Sequence, residues 1–173
     1  MPGRPGDRRL VLVLGGARSG KSSYAESLVR DWPAPWIYIA TAQALDDEMR
    51  QRIADHRRRR AAGWETVEAP LRVADAVADA SGRPLLVDCL TLWLTNHLLA
   101  GSDLDAEAAQ LEAVLGRHAG FTVLVANEVG LGIVPDNPLA RQFRDAAGRL
   151  NQRLAAIADE VALMVAGLPL KVK

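Results

Sequence analysis

Residues Arg9 to Ser22 read RLVLVLGGARSGKS. After Arg9 the run is leucine and valine on both alternating faces, as a strand buried from both sides of a parallel sheet requires. It ends at Gly15-Gly16, and a helix is expected from Lys21 to Asp31, stopped by Pro33. Gly15, Gly20, Lys21 and Ser22 occupy the fixed places of G-x-x-x-x-G-K-[ST]. Glycines let successive backbone N–H groups turn inward around a phosphate, and the helix N-terminus adds partial positive charge. Lys21 then reaches the terminal phosphates, and the Ser22 hydroxyl is placed to ligate Mg²⁺. The alternative, a chance glycine-rich turn, does not account for the strand before the loop and the helix after it.

Working outward, buried strands are expected at Trp36 to Ala40, Leu85 to Val87, Thr122 to Ala126 and Val161 to Val165, with a short one at Glu65 to Glu68. Helices are expected from Asp46, where Met49, Ile53 and His56 share a face, and over Leu71 to Ala80 and Leu90 to Ala100. Two more follow: Leu104 to His118, with Ser102 as N-cap, and one from Asn137-Pro138 carrying the stripe Phe143, Ala146, Ala147, Leu150, Leu154 and Ile157. Gly167-Leu168-Pro169 turns the chain into Leu170 to Lys173, an edge strand. The alternation implies an α/β fold in three layers, with a mostly parallel sheet and a C-terminal antiparallel edge hairpin. Residues 1–8 read as a loose tail and residues 9–173 as a single nucleotide-binding domain.

Composition narrows the class. The chain has 173 residues, 21 basic and 21 acidic, so its net charge of zero argues against binding nucleic acid through bulk charge. One cysteine, Cys89, makes neither an internal disulfide nor a Cys-rich zinc site, which suits a reducing cytoplasm. No apolar run reaches the length of a membrane span, and the N-terminal residues lack the apolar core of a signal peptide.

In such sheets ligands bind at the carboxyl ends of the strands. The polar residues there are Gly15 to Ser22, Thr41, Asp88 and Asn127-Glu128. Asp88 reads as the partner of Mg²⁺ near Ser22, or as the N-cap of the next helix. His56 has two readings. One is a buried, hydrogen-bonded histidine beside a solvated basic helix end. The other is an imidazole beside a triphosphate, with Arg57, Arg58, Arg59 and Arg60 holding phosphate oxygens. A neutral imidazole is a competent nucleophile toward phosphorus. Neighbouring arginines would keep it neutral, and Asp55 would act against them. His97 reads as packed in its helix, and His118, ending a helix, as a place where the dipole favours a cation. Trp32, Trp36, Trp64 and Trp93 read as core or interface. The loop Asn127 to Asn137 reads as a rim of the site or as a subunit contact.

The blocks GGARSGKS, YIATAQALDDEM, RIADHRRRR, WETVEAP, VDCLTLWLTN, NEVGLGIVPDNPLARQFRDAAGRLNQ and ADEVALMVAGLPLKVK, in this order, resemble the bifunctional cobinamide kinase/cobinamide-phosphate guanylyltransferases of cobalamin biosynthesis. The resemblance runs from about residue 9 to the end. It implies a RecA-like P-loop fold, a homotrimer and two reactions. ATP or GTP phosphorylates adenosylcobinamide; GTP then donates GMP to the phosphate through a guanylylated histidine, giving adenosylcobinamide-GDP and pyrophosphate. The family's histidine maps to His56; where some relatives carry two adjacent histidines, this chain has Asp55 first. The resemblance also implies a nucleotide site formed by Gly15, Gly16, Ala17, Arg18, Ser19, Gly20, Lys21 and Ser22 with Ala40, Thr41, Ala42, Arg57 to Arg60, Glu68 and Asp88. Glu68 would accept from guanine or ribose, or else is an exposed strand-end carboxylate. Two rivals make different predictions. A monofunctional P-loop small-molecule kinase forms no covalent GMP adduct. A nucleotide-gated regulatory module hydrolyses slowly and binds a macromolecule.

Overall fold

A computed structural model describes residues 8–43 and 62–173, with Asp47, Arg50, Gln51, Ala54 and Arg58 between them. Seven strands form one sheet: β1 (Arg9–Gly15), β2 (Trp36–Ala40), β3 (Trp64–Glu68), β4 (Leu85–Asp88), β5 (Phe121–Asn127), β6 (Glu160–Val165) and β7 (Leu168–Lys171). Their order is β3-β2-β4-β5-β1-β6-β7. All neighbouring pairs are parallel except β6 with β7. The helices whose bounds fall among the described residues are α1 (Lys21–Arg30), α2 (Val73–Asp79), α3 (Leu90–Ala100), α4 (Leu104–Arg117) and α5 (Pro138–Ile157).

The period-two alternation of the strands divides the core. Leu10, Leu12, Ile37, Ile39, Leu85, Val87 and Leu124 pack on one face under α2, α3, α4 and α5. Val11, Val13, Tyr38, Leu86, Val123 and Val125 pack on the other face with Ala25 and Val29 of α1. Both faces of the central strands are covered, which is why these strands read as unbroken apolar runs. Trp32 stacks on Phe121 at 4.9 Å, and the Trp93 indole donates to Leu71 O at 2.9 Å. Trp36 and Trp64 are half-buried with ring centres 5.4 Å apart, so all four tryptophans pack as expected.

Several boundaries differ from those expected. The expected helix at Leu71 begins at Val73. The cap of α4 is Asp103, not Ser102, and its carboxylate accepts from the N–H groups of Asp105 and Ala106. Ser102 instead pairs its hydroxyl with His97 Nδ1 at 2.9 Å. The final strand starts at Leu168 because Ala166 and Gly167, both at positive φ, make the turn one step earlier. The dipole argument for a cationic His118 also fails: the ring is buried, and burial lowers its pKa. Where described, residues of the helix expected from Asp46 are helical; the rest of it, including Met49, Ile53, Asp55 and His56, lies outside the described residues.

Candidate functional site

The carboxyl ends of the parallel strands form one row. Pairing sets Glu68 beside Ala40, Ala40 beside Asp88, Asp88 beside Val125, and Gly15 beside both Asn127 and Met164. Strand β5 therefore lies between the strand that carries the glycine loop and the strand that carries Asp88.

The loop is shaped by glycine where nothing else fits. Gly15 has φ of +154°, and a Cβ there would fall 2.6 Å from Ser19 Oγ and 2.9 Å from Met164 O. Gly20 has φ of +91° and stands at the N-cap of α1, where no side chain caps the helix. The first-turn N–H groups are thus available to an anion. Arg18 also takes a positive φ, 55°. Gly16, Ala17, Arg18 and Gly20 are exposed along this loop, and Ser19 and Ser22 are half-buried.

Lys21 is buried, and its ammonium bends back to donate to Gly16 O, with Ser19 Oγ at 3.5 Å. Burial lowers its pKa, while the nearby Cys89 and Asp88 oppose that shift. Burial pushes the Cys89 thiol up to about 11, so it stays protonated and inert at neutral pH.

Asp88 is held from the side. The buried Tyr38 hydroxyl donates to Asp88 Oδ2 at 2.8 Å. Asp88 is not the cap of α3; that place belongs to Cys89. The Cys89 backbone is clasped by Thr41, whose hydroxyl donates to Cys89 O at 2.7 Å and accepts from Cys89 N at 2.9 Å. Thr41 O in turn accepts from Asn96 Nδ2 at 2.9 Å. With its hydroxyl and carbonyl so engaged and no exposed surface, Thr41 ties the end of β2 to the Asp88 turn. Ala42 is half-buried beyond it, and Glu68 is exposed at the end of β3. Arg58 is exposed and helical; His56, Arg57, Arg59 and Arg60 lie outside the described residues.

The donor set suits Mg²⁺. A hydroxyl and one carboxylate are hard oxygen ligands, and Mg²⁺ uses one or two carboxylates with water and substrate phosphates rather than a protein cage. No cluster of three or more His, Cys, Asp or Glu ligands occurs among the described residues.

The residue reading passed over Tyr38, Asn96 and Thr91. Thr91 Oγ1 accepts from Asn127 N at 2.7 Å, and Glu128 N donates to Gly15 O at 3.0 Å, joining the end of β5 to the loop. Their only signal in the sequence is their place beside the strand ends. His97 behaves as expected: it is buried, with Nε2 3.1 Å from Leu71 O.

Comparison with solved structures supports the architecture. A protein of Pyrococcus horikoshii OT3 superposes with a TM-score of 0.54 at 10% identity, covering 96% of this chain and 87% of that one. An ATPase from the type III secretion system of pathogenic bacteria gives 0.51 at 13% identity, over 97% of this chain and 61% of its own. The fold is that of the RecA-like P-loop NTPases. Sequence comparison goes further. Residues 11–172 match the family described as cobinamide kinase / cobinamide phosphate guanyltransferase. The bifunctional adenosylcobalamin biosynthesis protein CobP of Pseudomonas aeruginosa is 51% identical, over 94% of this chain and 96% of its own. The corresponding CobU proteins of Salmonella typhimurium and Escherichia coli are 47% and 45% identical, each over 95% of this chain and 99% of its own. Agreement at this level over nearly the whole length leaves one assignment: the chain is a transferase that belongs to the cobinamide kinase / cobinamide phosphate guanyltransferase family.

Proposed function

We propose that this enzyme carries out both reactions of its family: it phosphorylates adenosylcobinamide with ATP or GTP, then transfers GMP from GTP to the resulting phosphate. The observation that carries the reading is the glycine loop with Lys21 at the same edge of the sheet as Asp88, in a chain that matches bifunctional relatives over nearly its whole length. Gly15 to Ser22 bind the phosphates, with Ala40, Thr41, Ala42, Arg57 to Arg60, Glu68 and Asp88 around the nucleotide. Ser22 and Asp88 would hold Mg²⁺, which when bound neutralises phosphate charge.

In the kinase step the substrate hydroxyl attacks the γ-phosphorus, and the nucleoside diphosphate leaves. The chain's work is to position the groups and to offset charge on the transferring phosphoryl. In the second reaction His56 is the nucleophile. A neutral ring nitrogen gives its lone pair to the α-phosphorus, the bond to the α–β bridging oxygen breaks, and pyrophosphate departs. A phosphate oxygen of adenosylcobinamide phosphate then attacks the same phosphorus and releases the imidazole. Two displacements spare the site from holding a corrinoid and GTP together at the moment of transfer. The phosphate loop serves both steps, gripping the β- and γ-phosphates as leaving group in the second. The same family reading supports a cytoplasmic homotrimer.

The test is product analysis. Purified enzyme given adenosylcobinamide, GTP and Mg²⁺ should yield adenosylcobinamide phosphate first and adenosylcobinamide-GDP with pyrophosphate later. Accumulation of the phosphate with no GDP product would leave a monofunctional kinase. Nucleotide hydrolysis with neither corrinoid product would reject both activities.

A further inference from the structure

We propose that the loop between β5 and α5 is the surface that receives the corrinoid, with Leu131, Ile133, Val134 and Leu139 as its apolar contacts. The proposal rests on the functional reading above and names the part of the site that takes the large substrate.

The observation is an apolar cluster displayed to water. Leu131 is 85% exposed, Ile133 97%, Val134 57% and Leu139 49%. Single exposed apolar side chains are ordinary, but four large ones within nine residues mark a binding surface. The loop is braced rather than loose. Arg141 Nη1 donates to Pro135 O at 2.8 Å and to Asp136 O at 2.6 Å. Asn137 caps α5 through the N–H groups of Leu139 and Ala140. Gly130 N donates to Glu128 Oε1 at 2.6 Å. A surface held in shape before its ligand arrives loses less freedom on binding.

Position selects the occupant. Glu128 N donates to Gly15 O, so this loop leaves the sheet at the phosphate loop itself. The attacking hydroxyl of the kinase step, and the attacking phosphate of the guanylyl step, must both come to that edge. The ring attached to them then lies over whatever borders the loop. A corrin carries methyl groups on its faces and amides around its rim. Such a molecule suits apolar side chains standing among exposed backbone. Gly132 adds room, since a Cβ there would meet nothing within 4 Å.

The test compares wild type with the double variant Leu131→Ser, Ile133→Ser and the conservative variant Ile133→Leu. Adenosylcobinamide affinity is read by titration calorimetry, and steady-state kinetics and mass by light scattering accompany it. The double variant should raise both the adenosylcobinamide Kd and its KM about tenfold or more, in keeping with the loss of two apolar contacts. Its KM for GTP, its guanylylation by GTP alone and its oligomeric mass should stay at wild-type values, and Ile133→Leu should bind as wild type does. Unchanged corrinoid affinity in the double variant would overturn the proposal. So would a change in oligomeric mass, which would give the surface to a second copy of the chain. Wild-type enzyme that neither binds nor phosphorylates adenosylcobinamide would overturn the functional reading instead, and this surface with it.

Discussion

Lys21 and Asp88 show what the fold does to single residues at the strand ends. A buried ammonium is costly unless it has partners. Here the partners are Gly16 O, Ser19 Oγ and the field of Asp88. A triphosphate brought to the loop offers Lys21 stronger acceptors and favours its charged form. Lys21→Ala should therefore reduce both the kinase rate and GMP transfer by orders of magnitude, measured as separate assays. Intact guanylyl transfer in that variant would mean the two reactions do not share the loop. Tyr38 acts through Asp88. It donates to Asp88 Oδ2 and so holds one of the two carboxylate oxygens. Tyr38→Phe should keep the sheet, since the ring still packs, but raise several-fold the Mg²⁺ concentration giving half-maximal kinase activity. An unchanged Mg²⁺ dependence would leave Tyr38 a packing residue only.

At the scale of elements, the helix ends carry the clearest tests. Asn137 satisfies two N–H groups at the start of α5, the helix that follows the apolar loop. Asn137→Ala should cost about 1 kcal/mol of stability in denaturant unfolding, the usual loss for a removed cap. A loss near zero would show that water replaces the cap fully. His118 ends α4 with Nε2 3.2 Å from Arg83 O, and burial lowers its pKa. The unfolded chain then binds the proton more readily than the folded one. Its neutral form supports the fold above the ordinary histidine pKa, and stability falls as pH drops through about 6.5. His118→Gln should flatten that decline in melting temperature between neutral and mildly acid pH. An unaltered slope would place the proton uptake elsewhere. These ends were only partly legible. Asn137-Pro138 announced itself by residue type, whereas Ser102 and Asp103 are both good caps. The choice between them was made by His97, which takes the Ser102 hydroxyl. The dipole argument at His118 omitted burial, which depends on how α4 packs rather than on its own sequence.

For the whole molecule, the strands and the glycine loop were legible because each is a local pattern: an apolar run, a turn, a fixed spacing. The antiparallel edge at Leu168–Lys171 was legible from the turn residues before it, to within two positions. Strand order was not, nor were the ties that build the site. Tyr38 meets Asp88 across 50 positions, and Thr41 meets Cys89 across 48. No period in a linear sequence records such pairings. The row Glu68, Ala40, Asp88, Val125 and Gly15 exists only once the sheet is assembled, and it brings residues scattered along the chain to one edge. His56 lies outside the described residues, and the role proposed for it rests on chemistry. The most direct measurement is the intact mass of wild type and His56→Ala after mixing each with GTP and Mg²⁺, without corrinoid. Wild type should gain one guanylyl unit, labile to acid and stable to base as a phosphoramidate is, and His56→Ala should gain none while keeping much of its kinase activity. An adduct retained in His56→Ala, or absent from wild type, would contradict the covalent route.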